Sequence, residues 1–337
     1  MEQRKVMSLG RSSLVISLPK HWTELNGLKQ GDTVSLTVNR DRSLAVFPGL
    51  GKKREDQHIT LTIDTNEKEF LITRSIIACY LNGYYGIRLV SKNIFSVNQF
   101  RAIRSIVQAL YMRIMQSDAK QMYIEALIDE SKVQVQSSIN RMYLISSSMC
   151  RDIFTALKTQ DTNLAKAVYA LEDDVDHFAY LLLRLLRNAA VDSSLANQLG
   201  LEPIDCMDFQ TLVHRIEQVA DQASNVARHI IMLGESHHIT TNILERMHAA
   251  GNNALSMYDK AISALSSKDI GCCDEVIGSQ NQIEKLDQEI AYLAFDEEKD
   301  TEIICASCSI RDSIKRIADH AVDICQITIN QAHKPPI

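Results

Sequence analysis

The feature that most constrains the fold of this chain is an internal repeat of helical segments. The segment SMCRDIFTALKTQD, from Ser148, matches SMYDKAISALSSKD, from Ser256, at Ser, Met, Ala, Leu and the final Asp, 108 positions apart. Further on, HRIEQVADQASNV matches SIKRIADHAVDI at an offset of 98, because the first copy has a longer polar link before this segment. Such self-similarity indicates tandem structural units. The sequence therefore predicts two copies of three helices each, forming one all-helical domain.

The most regular of these helices spans residues 214–233 and combines an apolar stripe with an acidic edge. Its apolar residues recur every three or four positions, which places them on one helical face. Glu217, Asp221 and Asn225 step by four along the flank, and Glu172 and Asp176 stand four apart on an earlier helix of the same construction. If these two helices are neighbours in a bundle, their acidic edges can converge.

Composition supports an ordered, helix-rich protein and excludes several classes. Hydrophobic residues make up 45% of the 337 positions, with only 12 Gly and 5 Pro. There is no apolar run long enough to span a membrane and no signal-peptide pattern. We therefore expect a cytoplasmic protein without membrane insertion. The eight cysteines show no disulfide pattern, and the CxxC of Cys305 and Cys308 is interpreted as core packing, with a redox or metal role as the alternative.

Charge is distributed unevenly along the chain. Residues 1–56 contain ten Lys or Arg against six acids, a net charge of +4. Because the net charge of the whole chain is −6, the remaining residues carry a net charge of −10. A small basic segment on a large acidic body indicates an anionic partner for that segment alone.

The N-terminal segment, residues 1–50, is predicted to be a small β domain, which we call the head. Strands are predicted over 14–18, 33–38 and 43–47, with a Gly-Asp turn at Gly31 and Asp32. So few residues bury little apolar surface in a single copy. We therefore expect the head to pair with a second copy of itself.

The head resembles the AbrB/MazE/SpoVT family of swapped-hairpin DNA-binding domains over about residues 4–48. The resemblance is carried by Gly10, Arg11, Ser12, LVISLPK, Trp22 and GLKQGDTVSL. It implies an obligate homodimer that places basic side chains on DNA, and by position these are Arg4, Lys5, Arg11 and Lys20. Lys and Arg contacts to phosphates supply most non-specific affinity for DNA. The alternative is a dimerisation module whose charges are only solvated.

A charged linker, 51–57, leads from the head to a small α/β connecting domain, 58–129. The predicted order is strand HITLTI, helix 67–81, strand YGIRLVS, helix 96–115 and strand QMYIEAL, with right-handed crossovers. This region has no Gly-rich phosphate loop, no catalytic-triad spacing and no His cluster. We therefore assign it a connecting or regulatory role, with a small-ligand site as the alternative.

The helical copies, 130–235 and 236–337, resemble PhoU domains. RIEQVADQASNVA and IKRIADHAVDI resemble the third-helix motif of that family. The resemblance implies a bundle that binds metal on its surface. It also implies a negative regulator of high-affinity phosphate uptake that contacts a phosphate transporter ATPase or a signalling protein. A head of the AbrB type joined to PhoU repeats resembles the arrangement of archaeal phosphate-uptake regulators.

The resemblance assigns metal binding to oxygen donors on the second and third helices of each copy. In order, these are Glu172, Asp176, Glu217, Asp221, Asn225, Glu284, Asp319 and Asp323. In the second copy Lys315 replaces Glu217 and Gln280 replaces Glu172, so its site is weakened or lost. Clustered carboxylates repel each other unless a cation or protons lie among them, and oxygen donors suit hard cations. The candidates are divalent or trivalent Fe, Mn, Mg or Zn, and the alternative is a solvated bundle edge.

The sequence therefore predicts a multidomain, mainly α protein with an N-terminal swapped-hairpin β domain, a small α/β element and two tandem three-helix-bundle repeats. We interpret it as a dimeric DNA-binding regulator of phosphate uptake. The alternative is a metal-binding helical interaction or storage protein whose head only dimerises. Glu245 and His248 form an ExxH, but a di-iron site needs a second such pair and further acids. We therefore expect no enzymatic activity.

Overall fold

The computed structural model describes residues 2–38, 42–49, 57–64, 66–234 and 236–335. The chain divides into two compact units, Met1–Asp56 and Gln57–Ile337. The described residues of the first unit form only short elements, whereas helices make up most of the described part of the second. The mainly α, multidomain class predicted from the sequence is therefore confirmed. The predicted charged linker lies outside the described residues, except for Gln57.

The described residues of the head form two β-hairpins, in separate sheets, and one short helix. β1 pairs with β2 and β3 with β4, both antiparallel. The second strand is shorter than the predicted strand 14–18, because its pairing with β1 ends at Val15, opposite Met7. None of the described head residues is buried. The elements are β1 Met7–Leu9, β2 Ser13–Val15, α1 Lys20–Leu25, β3 Val34–Val38 and β4 Leu44–Pro48.

The α/β domain has a four-stranded sheet in the order β5-β6-β8-β7. β5 and β6 are parallel and joined through helix α2, whereas β8 is antiparallel to both of its neighbours. Large apolar side chains from the sheet and the two helices form one buried cluster. The elements are β5 His58–Ile63, α2 Glu69–Leu81, β6 Gly86–Ser91, α3 Val97–Ala109, β7 Met112–Ser117 and β8 Gln121–Ala126.

The predicted helix 96–115 is wrong in its second part, because α3 ends at Ala109 and β7 begins at Met112. Between them, Tyr111 adopts a left-handed backbone conformation with φ of 52°, which ends the helix and turns the chain into the sheet. A bulge between Ile114 and Gln116 interrupts the alternation of buried and exposed residues in β7. The irregular pattern made this strand hard to distinguish from the end of an amphipathic helix.

The helical body contains the two repeats in sequence order. In the first, the second helix is divided into α5 and α6, and the longer polar link forms α7, which is capped by Asp192 and ends at Gly200. The first helices α4 and α9 pack together, as do the third helices α8 and α11. No helix in the described part of the chain is long and apolar enough to cross a membrane. The helices are α4 Val135–Thr159, α5 Thr162–Tyr169, α6 Glu172–Val191, α7 Ser193–Leu199, α8 Pro203–Leu233, α9 Thr241–Ser267, α10 Ile270–Glu297 and α11 Thr301–Ala332.

Two arginines on α6 anchor the α/β domain to the helical body. Arg184 is buried, pairs with Glu130 at 2.6 Å, and donates to the backbone carbonyls of Tyr80 at 2.5 Å and Tyr84 at 3.0 Å. Arg187 donates to the carbonyl of the last residue of α2. These carbonyls lie at the C-terminal end of α2, where the helix dipole favours cations. We call this set of contacts the arginine clamp.

The CxxC pair differs from its predicted core position. Cys305 and Cys308 both lie on α11, but Cys305 is exposed and Cys308 only half-buried. The buried face of α11 in this region is formed by neighbours such as Ile303 and Ala306. The apolar character of the surrounding run therefore did not indicate which residues face inward.

Candidate metal centre in the first helical repeat

Three of the predicted metal ligands converge where α6 packs against α8. Asp176 extends from α6, and Glu217 and Asp221 extend from α8. One carboxylate oxygen from each residue lies within 4.8 Å of the other two. In the described part of the chain, this is the only group of three or more His, Cys, Asp or Glu side chains with such spacing. We call these residues the carboxylate triad.

The amphipathic pattern of the two helices explains why the triad forms. Every apolar residue in the predicted stripe of α8 is buried, and on α6 so are Val175, Ala179 and Leu182. Because the stripes pack into the core, the acidic rows beside them are left half-buried along the seam between α6 and α8. α6 begins with three acids in its first turn, which the helix dipole stabilises.

Burial and mutual repulsion disfavour ionisation of the triad. Burial, followed by repulsion from Asp221 and Glu172, raises the pKa of Asp176 to about 7. The pKa of Glu217 is raised to about 7 by burial and by the neighbouring carboxylates, and that of Asp221 to about 6 by burial and repulsion from Glu172. At neutral pH the triad therefore holds negative charge that is incompletely compensated.

The triad fits a hard metal ion. Two oxygens bound to one ion can be about 5 Å apart for Ca²⁺ but only about 4 Å apart for Mg²⁺. The triad oxygens, within 4.8 Å of one another, are within the range for Ca²⁺, and a smaller ion would draw them closer together. Its donors are all carboxylate oxygens, the type preferred by Mg, Mn and Ca, and a cation would relieve the repulsion that raises their pKa values.

Glu172 lies beside the triad and is held by a serine that sequence reasoning missed. Ser224, buried on α8, donates to a carboxylate oxygen of Glu172 at 2.5 Å. Tyr180 was also missed: burial and the three triad carboxylates raise its pKa. Tyr180 follows Asp176 by four residues, so the spacing that identified the acids could have identified it as well.

Asn225 forms a hydrogen bond across the interface between α8 and α11. Its amide donates to Ser313 at 2.7 Å, and its side-chain oxygen accepts a hydrogen bond from Arg228. The equivalent residue of the second repeat, Asp323, pairs with Arg215 at 2.9 Å. Both residues therefore bridge the two third helices at equivalent positions of the two repeats.

The second repeat does not bring its predicted ligands together. Glu284 is exposed on α10, while Asp319 is half-buried on α11. Gln280, in the place of Glu172, donates to the carboxylate of Asp319 at 3.0 Å. An amide therefore pairs with the carboxylate where the first repeat has a second acid.

The predicted DNA-contacting residues of the head are all exposed. Arg11 lies in the turn between β1 and β2, next to Gly10, whose φ of 71° suits the tight turn. Arg4 and Lys5 precede β1, and Lys20 begins α1. Arg4 pairs with an acid two residues earlier, and Lys20 pairs with an acid one helical turn later at 3.6 Å.

Comparison with known proteins identifies the family. Residues 139–230 and 247–328, together more than half of the chain, match the family described as PhoU domain. The chain belongs to the PhoU family. Its first PhoU segment contains the complete carboxylate triad, and the second contains the three predicted ligands of the other repeat.

Other comparisons concern the head and the fold of the PhoU body. Residues 8–57 match the family described as Antidote-toxin recognition MazE, bacterial antitoxin, so the PhoU domains follow a MazE/AbrB-like domain. PhoU from Pseudomonas aeruginosa is 20% identical, with a TM-score of 0.49 over 58% of this chain and 93% of that one. The phosphate transport system regulatory protein PhoU from Streptococcus pneumoniae is 14% identical, with a TM-score of 0.48 over 60% and 95%. No curated protein sequence matches significantly.

Proposed function

We propose that this PhoU-family protein regulates phosphate uptake as a dimeric, DNA-binding transcriptional regulator. In this proposal the helical body binds a metal ion and docks a phosphate transporter ATPase or a signalling protein. The observation that carries the proposal is the joining of two PhoU domains to a basic MazE/AbrB-like head in one chain. Regulation of phosphate transport is the role named for the Streptococcus pneumoniae PhoU.

Exposure of the head supports dimerisation and nucleic-acid contact. The described head residues form two separate hairpins without a buried core, although several of their apolar side chains are large. Burying these side chains against a second head would stabilise a dimer by about 25 cal/mol for each Å² of apolar surface removed from water. The exposed large apolar residues are Val6, Met7, Leu9, Leu14, Ile16, Leu25, Leu36, Val38 and Leu44.

The carboxylate triad supports metal binding by the body. Asp176, Glu217 and Asp221 would hold the ion, and Glu172 lies close enough to raise their pKa values. A bound cation would supply positive charge that screens the carboxylates from one another. The carboxylates of α6 and α8 would then both bind the cation, which would hold the two helices together, whereas without the cation the carboxylates repel each other.

A salt-stepped DNA titration of the full-length protein tests the DNA-binding role. We expect tighter binding to fragments upstream of phosphate-transport genes than to an unrelated fragment, with affinity falling steeply as salt rises. The variant Arg11→Ala with Lys20→Ala should weaken binding and reduce the salt slope by about 0.9 for each phosphate that it no longer neutralises, while the dimer persists. The control Lys158→Ala with Lys166→Ala makes the same charge change on the helical body and should leave affinity unchanged.

The alternative function is a metal-binding interaction or storage protein whose head only dimerises. The ion pairs of Arg4 and Lys20 within the head favour it, because both cations already have carboxylate partners. Absence of DNA binding at low salt, with the dimer intact, would support this alternative. Equal affinity of the head variant and the wild type at matched salt would also contradict DNA contact through Arg11 and Lys20.

A further inference from the structure

The two PhoU repeats share a register that extends along their second helices. Residues of α5 and α6 correspond to residues of α10 at the constant offset of 108. The register holds in the core, because every buried residue of α10 corresponds to a buried residue of α5 or α6. These pairs are Ala165 and Cys273, Val168 and Val276, Val175 and Ile283, Leu182 and Ile290, and Leu186 and Ala294. Surface positions on α6 and α10 can therefore be compared one by one.

On α6, this register places the arginine clamp on a face that is covered. The C-terminal end of α2 lies against it, and Arg184 is 6% exposed. Over residues 180–189 the helix carries two Arg and no acid, which suits the carbonyl end of the docked helix. The first repeat therefore uses this face to bind a helix.

On α10, the equivalent face is open and has a different chemistry. Tyr292 replaces Arg184 and is 77% exposed, and Phe295 replaces Arg187 and is 68% exposed. Asp296 replaces the amide of Asn188, and over residues 288–297 the helix carries three acids and no Lys or Arg. Glu289 pairs with Arg246 at 3.3 Å and Glu297 accepts a hydrogen bond from Asn242, whereas Asp296 is exposed. Two large aromatic side chains one helical turn apart on an acidic surface are typical of an interaction site. We call Tyr292, Phe295 and Asp296 the aromatic patch.

We propose that the aromatic patch docks an amphipathic helix of a partner protein, with an apolar contact face flanked by Lys or Arg. The arginine clamp shows that the equivalent face of the first repeat contacts a helix, there through backbone carbonyls. On α10 the exposed carboxylate of Asp296 beside the two aromatic side chains favours a cationic flank on the bound helix. A cation beside Tyr292 would gain a cation–π interaction as well as attraction to Asp296. The proposal rests on the docking role proposed above, but DNA binding and metal binding do not enter its test.

A labelled model peptide tests the patch on the full-length protein. The probe is a fluorescein-labelled amphipathic helix with a Leu face flanked by Lys, and the control peptide has the same Leu face flanked by Glu. We expect the Lys peptide to bind and the Glu peptide not to bind. Fluorescence anisotropy should show at least a tenfold loss of affinity in Tyr292→Ser with Phe295→Ser, and near-complete retention in Tyr292→Phe.

Matched substitutions of other exposed apolar residues show whether the peptide binds the aromatic patch or any exposed apolar surface. Tyr169→Ser with Met232→Ser removes one exposed aromatic and one large apolar side chain from the first repeat, and should leave binding of the Lys peptide unchanged. Equal binding of both peptides, or equal loss of affinity in the two double variants, would overturn the proposal. It would also be overturned if sedimentation showed a larger wild-type assembly that Tyr292→Ser with Phe295→Ser dissolves, because the occupant would then be a second copy. A lack of DNA or metal binding would contradict the proposed function without altering this result.

Discussion

The two PhoU repeats use the same helices in the same register but differ where their second and third helices meet. In the first repeat three carboxylates converge, and burial with repulsion raises their pKa values. In the second, Gln280 hydrogen-bonds Asp319, and Lys315 takes the place of Glu217. The apolar stripes are retained in both copies because they hold the bundle together. Repetition therefore preserves packing, while chemistry diverges in the polar row beside it.

The first prediction removes the feature that distinguishes the first repeat. Glu217→Ala with Asp221→Ala should lower metal affinity by more than about 100-fold, because both α8 donors of the triad are removed. Elemental analysis and calorimetric titration of the full-length protein would measure bound Mn or Fe. Glu245→Ala is the control, because it removes an exposed acid of the ExxH on α9. Unchanged metal content in the double variant would reject the triad, and loss of metal in the control would reopen the di-iron alternative.

The second prediction restores the missing acids to the second repeat. Gln280→Glu with Lys315→Glu should create a second metal site, because Glu284 and Asp319 already occupy the positions of Asp176 and Asp221. We expect a second bound ion per chain, with weaker affinity than the first because Glu284 is exposed. Metal titration followed by elemental analysis checks the stoichiometry. If the number of bound ions does not change, the equivalence of the two sites is limited to sequence.

The third prediction concerns the stability of the metal-free protein. Carboxyl groups in an unfolded chain have pKa values near 4, whereas those of Asp176 and Glu217 in the folded protein are about 7 and that of Asp221 is about 6. Between about pH 4 and 7 the folded state therefore binds more protons, so stability is lost as pH rises through this range. Allowing for solvent screening, the loss relative to Glu217→Gln with Asp221→Asn should be about 1–3 kcal/mol.

Chemical denaturation at a series of pH values, in the presence of a chelator, measures this loss. The wild type should be less stable than the neutralised variant at pH 8, and the difference should decrease at pH 5. Adding Mn²⁺ at pH 8 should stabilise only the wild type, because the variant no longer has two of the anionic donors. A stability difference that is independent of pH would show that neither burial nor repulsion raises the pKa values of the triad carboxyl groups.

Periodicity predicted the parts of the fold that depend on packing. The buried stripe of α8 and the repeat offset were evident from the spacing of apolar residues. The turn at Tyr111 and the break between α5 and α6 were not, because local backbone conformation and tertiary contacts determine them. The arginine clamp was missed for the same reason, since its partners are backbone carbonyls about a hundred residues earlier in the sequence.

The candidate site was predicted only in part. Asp176, Glu217 and Asp221 could be identified because spacing by four places them on helix edges that converge. The same spacing included Asn225, but its side chain hydrogen-bonds Ser313 on α11 instead. One row of a helix can therefore begin in one interface and end in another when two neighbours pack against it. Only the arrangement of neighbouring helices distinguishes these positions.

The smallest predicted effect tests this change of interface along α8. Asn225→Ala should lower the free energy of unfolding by about 1 kcal/mol, because it removes the hydrogen bond to Ser313 across α8 and α11. Metal affinity should stay as in the wild type, because the Asn225 amide is already engaged by Ser313 and Arg228. Thermal or chemical denaturation of Asn225→Ala, Ser313→Ala and the double variant gives the coupling energy, and non-additive effects are expected for two residues in direct contact. A fall in metal content with no coupling to Ser313 would instead return Asn225 to the ligand set that the sequence predicted.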